Sequence, residues 1–205
     1  MKPPDYWARA RRELAARDPV MRELLRCRAA LIPGSRGDAY ATLARAIVGQ
    51  QISVKAAQSV WTRLVAEVGA MTPQQMLARD PDRLRACGLS VQKTAYLTDL
   101  SQRFASGELD PAQWPALDDE TLIAELTRVK GIGRWTAEMF LIFHLARPDV
   151  YPVADVGLQR ALGLHYNRGK PLTAARIVRL GATWAPWRSV ATWYLWRSLE
   201  PENAK

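Results

Sequence analysis

The chain has 205 residues, of which 48% are hydrophobic and 24% charged, so it is neither a disordered tail nor a disulfide scaffold. Its 29 Lys and Arg outnumber its 20 Asp and Glu and give a net charge of +9. This excess makes a polyanion such as nucleic acid a favoured partner.

Targeting and redox signals indicate a cytoplasmic protein. The amino-terminal stretch is charged throughout, and the longest charge-free apolar stretch, Met139 to Ala146, is too short to cross a bilayer. Cys27 and Cys87 belong to no metal-binding or iron–sulfur spacing, and we expect both to be reduced, buried and inert. We therefore expect a soluble monomer without iron–sulfur cluster, zinc or membrane contact.

Helix signals recur along the whole chain. A capping side chain precedes a helix-compatible first turn at Asp18-Pro19, Asp38, Ser53, Thr72-Pro73, Asp80-Pro81, Ser90, Asp118 and Thr173. Apolar periodicity ends at Gly69, Gly88, Gly107 and Gly163, which predicts helix stops there. With apolar spacings of three and four and no period-two alternation, the sequence predicts an all-α protein of about ten short helices.

An acidic segment and a glycine turn lie between predicted helices in the second half of the chain. The segment Ser106 to Glu120 has five acidic and no basic residues, and we expect a loop that faces away from any phosphate backbone. Gly131-Ile132-Gly133 then joins two helices. Because glycine permits positive φ and a close backbone approach, and the next helix begins with unpaired N–H groups, this turn can cradle an anion. The alternative is an ordinary tight turn.

Further strings accompany this turn in a fixed order: Ala46 to Ala57, Gly88 to Lys93, Val129 to Ala137, Arg147 to Asp155 and Pro186 to Ala191. Together they resemble the helix-hairpin-helix superfamily of DNA glycosylases and, within it, the alkylation-repair branch, DNA-3-methyladenine glycosylase II. The resemblance runs from about Asp38 to Leu199. It implies a two-lobed helical fold without an amino-terminal β domain. One lobe covers 38–146 and ends in the hairpin, the other covers 1–37 with 147–205, and the active site opens between them.

The resemblance also assigns roles to residues. Hairpin N–H groups hold a DNA phosphate, base-pocket aromatics stack on the lesion, and an intercalating side chain fills the gap left by a flipped base. The residues that match the phosphate-binding hairpin are Gly131, Ile132, Gly133, Arg134 and Thr136. The base-pocket aromatics match Trp135 and Trp196. The intercalating side chain matches Gln51, with Gln50 beside it. Family members often bind Na⁺ or K⁺ through the carbonyls matching Thr127, Val129 and Ile132. Ordinary core packing for the tryptophans and helix termination for the glutamines are the alternatives.

Asp155 is the candidate catalytic residue. Cleavage of an N-glycosidic bond develops positive charge on the sugar, which a nearby carboxylate stabilises. Asp155 precedes a predicted helix from Val156 to Leu162 and is also its expected N-cap, so simple capping is the alternative. The resemblance aligns Asp155 with the family's catalytic aspartate, while Ala154 stands where members often carry a second acid.

Trp135 occupies the position at which bifunctional members carry a nucleophilic lysine. Since an indole cannot form a Schiff base, the resemblance implies hydrolysis by water that leaves an abasic site. The expected activity is excision of alkylated bases of the 3-methyladenine type from duplex DNA, without redox cofactor or catalytic metal. A glycosylase for a neutral lesion such as uracil or hypoxanthine and a non-catalytic damaged-DNA-binding protein remain alternatives. His144, expected in a helix, and His165, expected in a loop, lie outside this mechanism.

Overall fold

The computed structural model describes residues 4–27 and 38–200, and the described residues form helices and connecting turns without any strand. Residues 1–3 and 28–37 of the predicted second lobe, and 201–205 at its end, lie outside the described residues. The α-helices are Trp7–Arg17 (α1), Pro19–Cys27 (α2), Ala39–Gly49 (α3), Val54–Val68 (α4), Pro73–Leu77 (α5), Pro81–Ala86 (α6), Val91–Ala105 (α7), Asp119–Leu126 (α8), Arg134–Phe143 (α9), Val156–Tyr166 (α10), Ala174–Ala182 (α11) and Arg188–Ser198 (α12). The predicted all-α class is confirmed.

Capping side chains fix where most of these helices begin. Asp38, Ser53 and Ser90 each accept a hydrogen bond from a backbone N–H in the first turn of the helix that follows. Every other predicted start also begins a helix. Each cap satisfies one of the N–H groups that a helix leaves without an internal partner.

Four local expectations were wrong. Gly163 lies inside α10, where a Cβ would come within 2.9 Å of the Lys170 carbonyl oxygen, so glycine is required there by close packing of the following turn. His165 therefore belongs to α10 and lies 2.8 Å from the Ser198 hydroxyl, whereas His144 follows α9 in a turn. Cys27 is exposed at the end of α2, and only Cys87 is buried.

The chain divides into two compact units, Met1–Ser35 with Leu141–Lys205, and Arg36–Phe140. The core of the first unit is rich in large aromatic and aliphatic side chains, among them Trp7, Trp184, Trp187 and Tyr194. The second unit buries aliphatic residues of α3, α4, α7 and α8, including Leu43, Leu64, Leu97 and Leu122. Removing these apolar surfaces from water stabilises each unit.

The buried Asp18 carboxylate links the start of α2 to Tyr166 of α10 and to Trp184, which follows α11. Asp18, 8% exposed, accepts N–H groups of Val20 and Met21 through one oxygen. Its other oxygen accepts the Tyr166 hydroxyl at 2.8 Å and the Trp184 indole N–H at 2.9 Å. The helix cap is thus also a tertiary contact.

The longest helices of the described part, α4 and α7, have 15 residues each. None of the helices described meets the length and hydropathy that a bilayer-spanning segment requires.

Candidate active site

Asp155 precedes α10 and caps it, as the sequence predicted. Its Oδ1 accepts the backbone N–H of Leu158 at 2.6 Å and the indole N–H of Trp196 at 2.7 Å. The first contact is an ordinary helix cap, but the second comes from α12 and has no role in capping. Asp155 is a partly exposed residue of the first unit, and donors from α10 and α12 hold its carboxylate.

Gly157 leaves room for this pair of side chains. A Cβ at Gly157 would lie 3.1 Å from Asp155 Oδ1 and 3.2 Å from Trp196 Cδ1, closer than most real contacts of that atom. Glycine is unfavourable in a helix, so its presence in the first turn of α10 has a packing reason. Sequence reasoning missed Gly157, although its disagreement with helix propensity is a signal that could have found it.

Trp196 belongs to a small aromatic cluster with Phe143 and Trp193. The Trp196 and Phe143 rings stack with centroids 5.8 Å apart and planes 18° apart. Trp193 meets the edge of Phe143 at 6.0 Å. Because Trp196 is stacked on one ring and bonded to Asp155, its orientation is fixed while its surface remains partly exposed.

The glycine hairpin joins α8 to α9 in the second unit. Gly131 has a φ of +82°, and a Cβ there would lie 2.7 Å from Cγ of Tyr96, so both the backbone angle and the packing require glycine. At Gly133 a Cβ would meet nothing within 4 Å. Val129 and Ile132, on either side of Gly131, are buried and so fix the turn to the protein core. The hairpin is therefore fixed on one side and open at Gly133.

Arg134, predicted beside the phosphate site, is held by two carboxylates. Its guanidinium donates to Glu120 at 2.5 and 2.9 Å and to buried Glu138 at 3.0 Å. The hydrogen bond with Glu120 is the main reason that the pKa of Arg134 is raised. Glu120 is the last residue of the acidic segment 106–120, which we expected to face away from a phosphate backbone. This segment thus contacts the hairpin through Glu120. At Arg134 the backbone N–H, rather than the side chain, is the group suited to a phosphate.

The two neighbouring glutamines have different environments. Gln51 is exposed and has a φ of +57°, an uncommon angle for a residue with a side chain. Gln50 is partly buried, and its side-chain amide donates to the Gly131 carbonyl at 2.7 Å. Gln51 therefore suits an intercalating role better than Gln50, which contacts the hairpin.

Trp135, the second residue of α9, is 52% exposed. Its exposure contrasts with Trp114 and Trp184, which are buried core residues, and argues against core packing as its role. No group of three or more His, Cys, Asp or Glu in the described residues is arranged to hold a metal ion.

Comparison with known proteins identifies the family. The model of the HhH-GPD superfamily of base excision DNA repair proteins matches residues 44–184, more than half of the chain. The chain belongs to this superfamily. The matched range includes the Gln51 turn, the hairpin and Asp155, but ends before Trp196.

Individual HhH-GPD relatives carry alkylation-repair names. DNA-3-methyladenine glycosylase 1 of Schizosaccharomyces pombe is 36% identical over 74% of this chain and 68% of its own length. The crystal structure of a DNA-3-methyladenine glycosidase from Bacillus halodurans has a TM-score of 0.87 and 33% identity, covering 92% of this chain and 88% of that one. An S. pombe 3-methyladenine DNA glycosylase in complex with abasic DNA has a TM-score of 0.81 and 31% identity, covering 96% and 100%.

Some HhH-GPD relatives are considerably longer. This chain spans 59% of the length of one from Bacillus subtilis and 55% of one from Escherichia coli.

Proposed function

We propose that the chain is a monofunctional DNA glycosylase that hydrolyses the N-glycosidic bond of alkylated bases of the 3-methyladenine type in duplex DNA. The observation that carries the proposal is Asp155, a partly exposed carboxylate held by donors from two elements of an HhH-GPD chain. The names of the relatives support alkylated bases as the substrate class. The Schizosaccharomyces pombe complex with abasic DNA supports DNA as the partner.

In the proposed reaction the bond between the sugar C1′ and the base nitrogen breaks, and water oxygen bonds to C1′. Positive charge grows on the sugar as the base departs with the bonding electrons, so the Asp155 carboxylate stabilises the transition state. The water gives one proton to the Asp155 carboxylate, which passes it to solvent. The cationic alkylated base departs as a neutral molecule, and the other product is an abasic site. Fixed N–H donors keep the carboxylate oriented, so little reorganisation is needed during the reaction.

Two exposed or partly exposed indoles, Trp135 and Trp196, are proposed to contact the flipped base. A base alkylated on a ring nitrogen is positively charged, and an indole face attracts such a cation by about 1–2 kcal/mol when water is excluded. The same charge makes the base a good leaving group. The pocket therefore needs no strong acid to protonate the base.

The hairpin is proposed to bind a DNA phosphate through backbone N–H groups of Gly131, Ile132, Gly133, Arg134 and Thr136. The open surface at Gly133 and the start of α9 support this role because a phosphate oxygen can approach backbone N–H groups there. The Gln51 side chain is proposed to fill the gap left by the flipped base, since that residue is exposed in its turn.

The carbonyl oxygens of Thr127, Val129 and Ile132 are proposed to hold Na⁺ or K⁺. Neutral oxygen donors suit such ions, and the Val129 carbonyl accepts only one protein hydrogen bond in this turn, from Ile132 N–H at 3.0 Å, leaving it a second lone pair. A bound cation would add positive charge beside the phosphate.

Replacement of Asp155 by asparagine tests the proposal. Asparagine caps a helix as well as aspartate but lacks the negative charge. We expect Asp155→Asn to lower the single-turnover rate of 3-methyladenine release at least about a hundredfold, with DNA affinity nearly unchanged. Exposed Asp82, which pairs with Arg85, offers the matched control Asp82→Asn, and we expect normal activity from it. Undiminished base release by Asp155→Asn would overturn the mechanism.

The absence of a lysine at position 135 predicts that the product strand stays intact. Abasic DNA made by the enzyme should break only after alkali treatment, and borohydride should trap no covalent complex. Strand cleavage without alkali, together with a trapped complex, would show that another amine acts as nucleophile.

A further inference from the structure

One face of α7 contacts both turns that the proposed function places at the DNA. Lys93, Tyr96 and Asp99 are spaced three residues apart and therefore lie along one side of this helix. Lys93 contacts the end of α3, while Tyr96 and Asp99 contact the hairpin. None of the three has a role in the chemistry described above.

The Lys93 side chain, from α7, binds carbonyl groups at the carboxyl end of α3. Its ammonium donates to the carbonyl oxygens of Val48 and Gln50, each at 2.7 Å. Carbonyls at a helix end lack internal partners, so a cation there is favourable. The ammonium is half-buried, and burial lowers the pKa of Lys93. The lysine thus fixes the backbone immediately before Gln51.

The next two residues of this face fix the hairpin. The Asp99 carboxylate accepts the backbone N–H of Lys130 at 3.0 Å. The Tyr96 ring fills the space that a side chain at position 131 would need. Replacing Gly131 would therefore displace the hairpin from α7.

Gln50 completes the connection by joining the two turns directly. Its backbone carbonyl accepts from Lys93 at 2.7 Å, and its side-chain amide donates to the Gly131 carbonyl at 2.7 Å. One residue therefore links the α7 lysine, the turn that carries Gln51, and the hairpin. The next residue, Gln51, has a φ of +57°, an angle that is uncommon for a residue with a Cβ.

We propose that Lys93 and Gln50 are positioning residues that hold the Gln51 turn at a fixed distance from the phosphate-binding hairpin. The two turns then engage the duplex together, with Gln51 in the gap while the hairpin holds the backbone. This inference rests on the proposed function for the roles of Gln51 and the hairpin. It does not depend on Asp155 or on the cleavage step.

The functional test is recognition of a gap, measured without catalysis. Fluorescence anisotropy gives the affinity for a duplex with a tetrahydrofuran abasic analogue and for the same duplex without it. We expect Lys93→Met and Gln50→Ala each to lower the affinity for the abasic duplex, relative to that for the intact duplex, at least about fivefold. The reason is that a displaced Gln51 side chain no longer fills the gap. Lys170→Met removes an exposed lysine and is the matched control, with an unchanged ratio.

A double-variant experiment shows whether Lys93 acts through Gln51. If it does, Lys93→Met combined with Gln51→Ala should bind the abasic duplex no more weakly than Gln51→Ala alone. Additive losses would show that Lys93 has a separate effect on DNA and would overturn its positioning role. Gln50→Ala removes only one neutral side chain and keeps the test available should Lys93→Met fold poorly.

Hydrogen exchange tests the structural part without DNA. The amides of Lys130 and Ile132 are bonded to Asp99 and Val129, and we expect both to exchange at least about fivefold faster in Gln50→Ala, since the hairpin loses one of its anchors. Unchanged exchange together with an unchanged affinity ratio would overturn the proposal. Loss of base release in Asp155→Asn tests the proposed reaction separately, so failure of one conclusion is distinguishable from failure of the other.

Discussion

At the scale of single residues, Asp155 and Trp196 show how one hydrogen bond changes the interpretation of a side chain. The family resemblance assigns Trp196 to the aromatic residues expected to contact the base, a role based on its ring. In the structure its indole N–H also donates to Asp155 Oδ1 at 2.7 Å. Trp196 is therefore suited both to stack on the base and to orient the carboxylate, and a substitution can separate these roles.

Trp196→Phe keeps an aromatic ring against Phe143 but removes the N–H donor. Losing a hydrogen bond to a charged group costs about 1.5–3 kcal/mol. We therefore expect the single-turnover rate of base release to fall at least about tenfold, with little change in affinity for abasic DNA. Trp193→Phe, a change at the neighbouring ring of the same cluster, serves as the control. Equal rates for both variants would show that Trp196 contributes only its ring.

At the scale of elements, the two Asp-Pro helix starts look alike in sequence but differ in structure. Asp80 is exposed and accepts the backbone N–H of Asp82, so it acts only as a cap for α6. Asp18 is buried and binds Tyr166 and Trp184 as well as α2. The pattern predicts a helix start equally well in both cases, but only burial reveals the tertiary role.

This difference predicts unequal effects on stability. Asp80→Ala should lower the free energy of unfolding by about 1 kcal/mol, the usual cost of a lost cap. Asp18→Ala also leaves the partly buried Tyr166 hydroxyl and the buried Trp184 indole N–H without their acceptor, and should cost at least about 3 kcal/mol. Urea unfolding followed by circular dichroism measures both. Similar losses for the two variants would contradict a tertiary role for Asp18.

Local patterns predicted helix starts well because a cap and its helix are adjacent in sequence. Gly163 was mistaken for a helix stop because the group that requires it, the Lys170 carbonyl, belongs to the turn that packs back on α10. The sequence gives no sign that Lys93 binds the end of α3, since its carbonyl acceptors, Gln50 and Val48, lie 43 and 45 positions away. The position of Asp155 was predictable from a cap signal and a resemblance, but its bond to α12 was not.

At the scale of the whole molecule, positive charge is concentrated toward the carboxyl end. Between Val156 and Leu199 the sequence has seven Lys and Arg and no Asp or Glu. The carboxylates elsewhere are used largely in caps and ion pairs, as at Asp118 and Asp99. Stability should therefore depend on pH mainly through these acidic groups.

Acid should destabilise the protein. The Thr121 hydroxyl and N–H lower the pKa of Asp118. At Asp99 burial opposes the charged form, but hydrogen bonds from Lys130 and Arg103 outweigh it and lower the pKa. Since the unfolded chain binds these protons first, the stabilisation is complete above the ordinary Asp pKa of 3.8 and is lost as pH falls through the lower folded values.

Thermal unfolding between pH 7 and pH 3 measures this effect, and we expect the midpoint to fall steadily below about pH 4. Asp118→Asn keeps a good cap but removes one titrating group, so its midpoint should fall less over the same range. An identical acid response of this variant and the natural chain would exclude the Asp118 cap as a contributor.

Asp155 caps α10 and is also the proposed catalytic carboxylate, and the difference between these two roles has a practical consequence. Its backbone-capping role needs only an acceptor oxygen, whereas the proposed chemistry needs a full negative charge. An amide side chain there should give an intact but stalled protein. Such a protein could hold an unreacted lesion long enough for crystallisation, and that structure would test whether the extruded nucleotide lies beside the indole of Trp196.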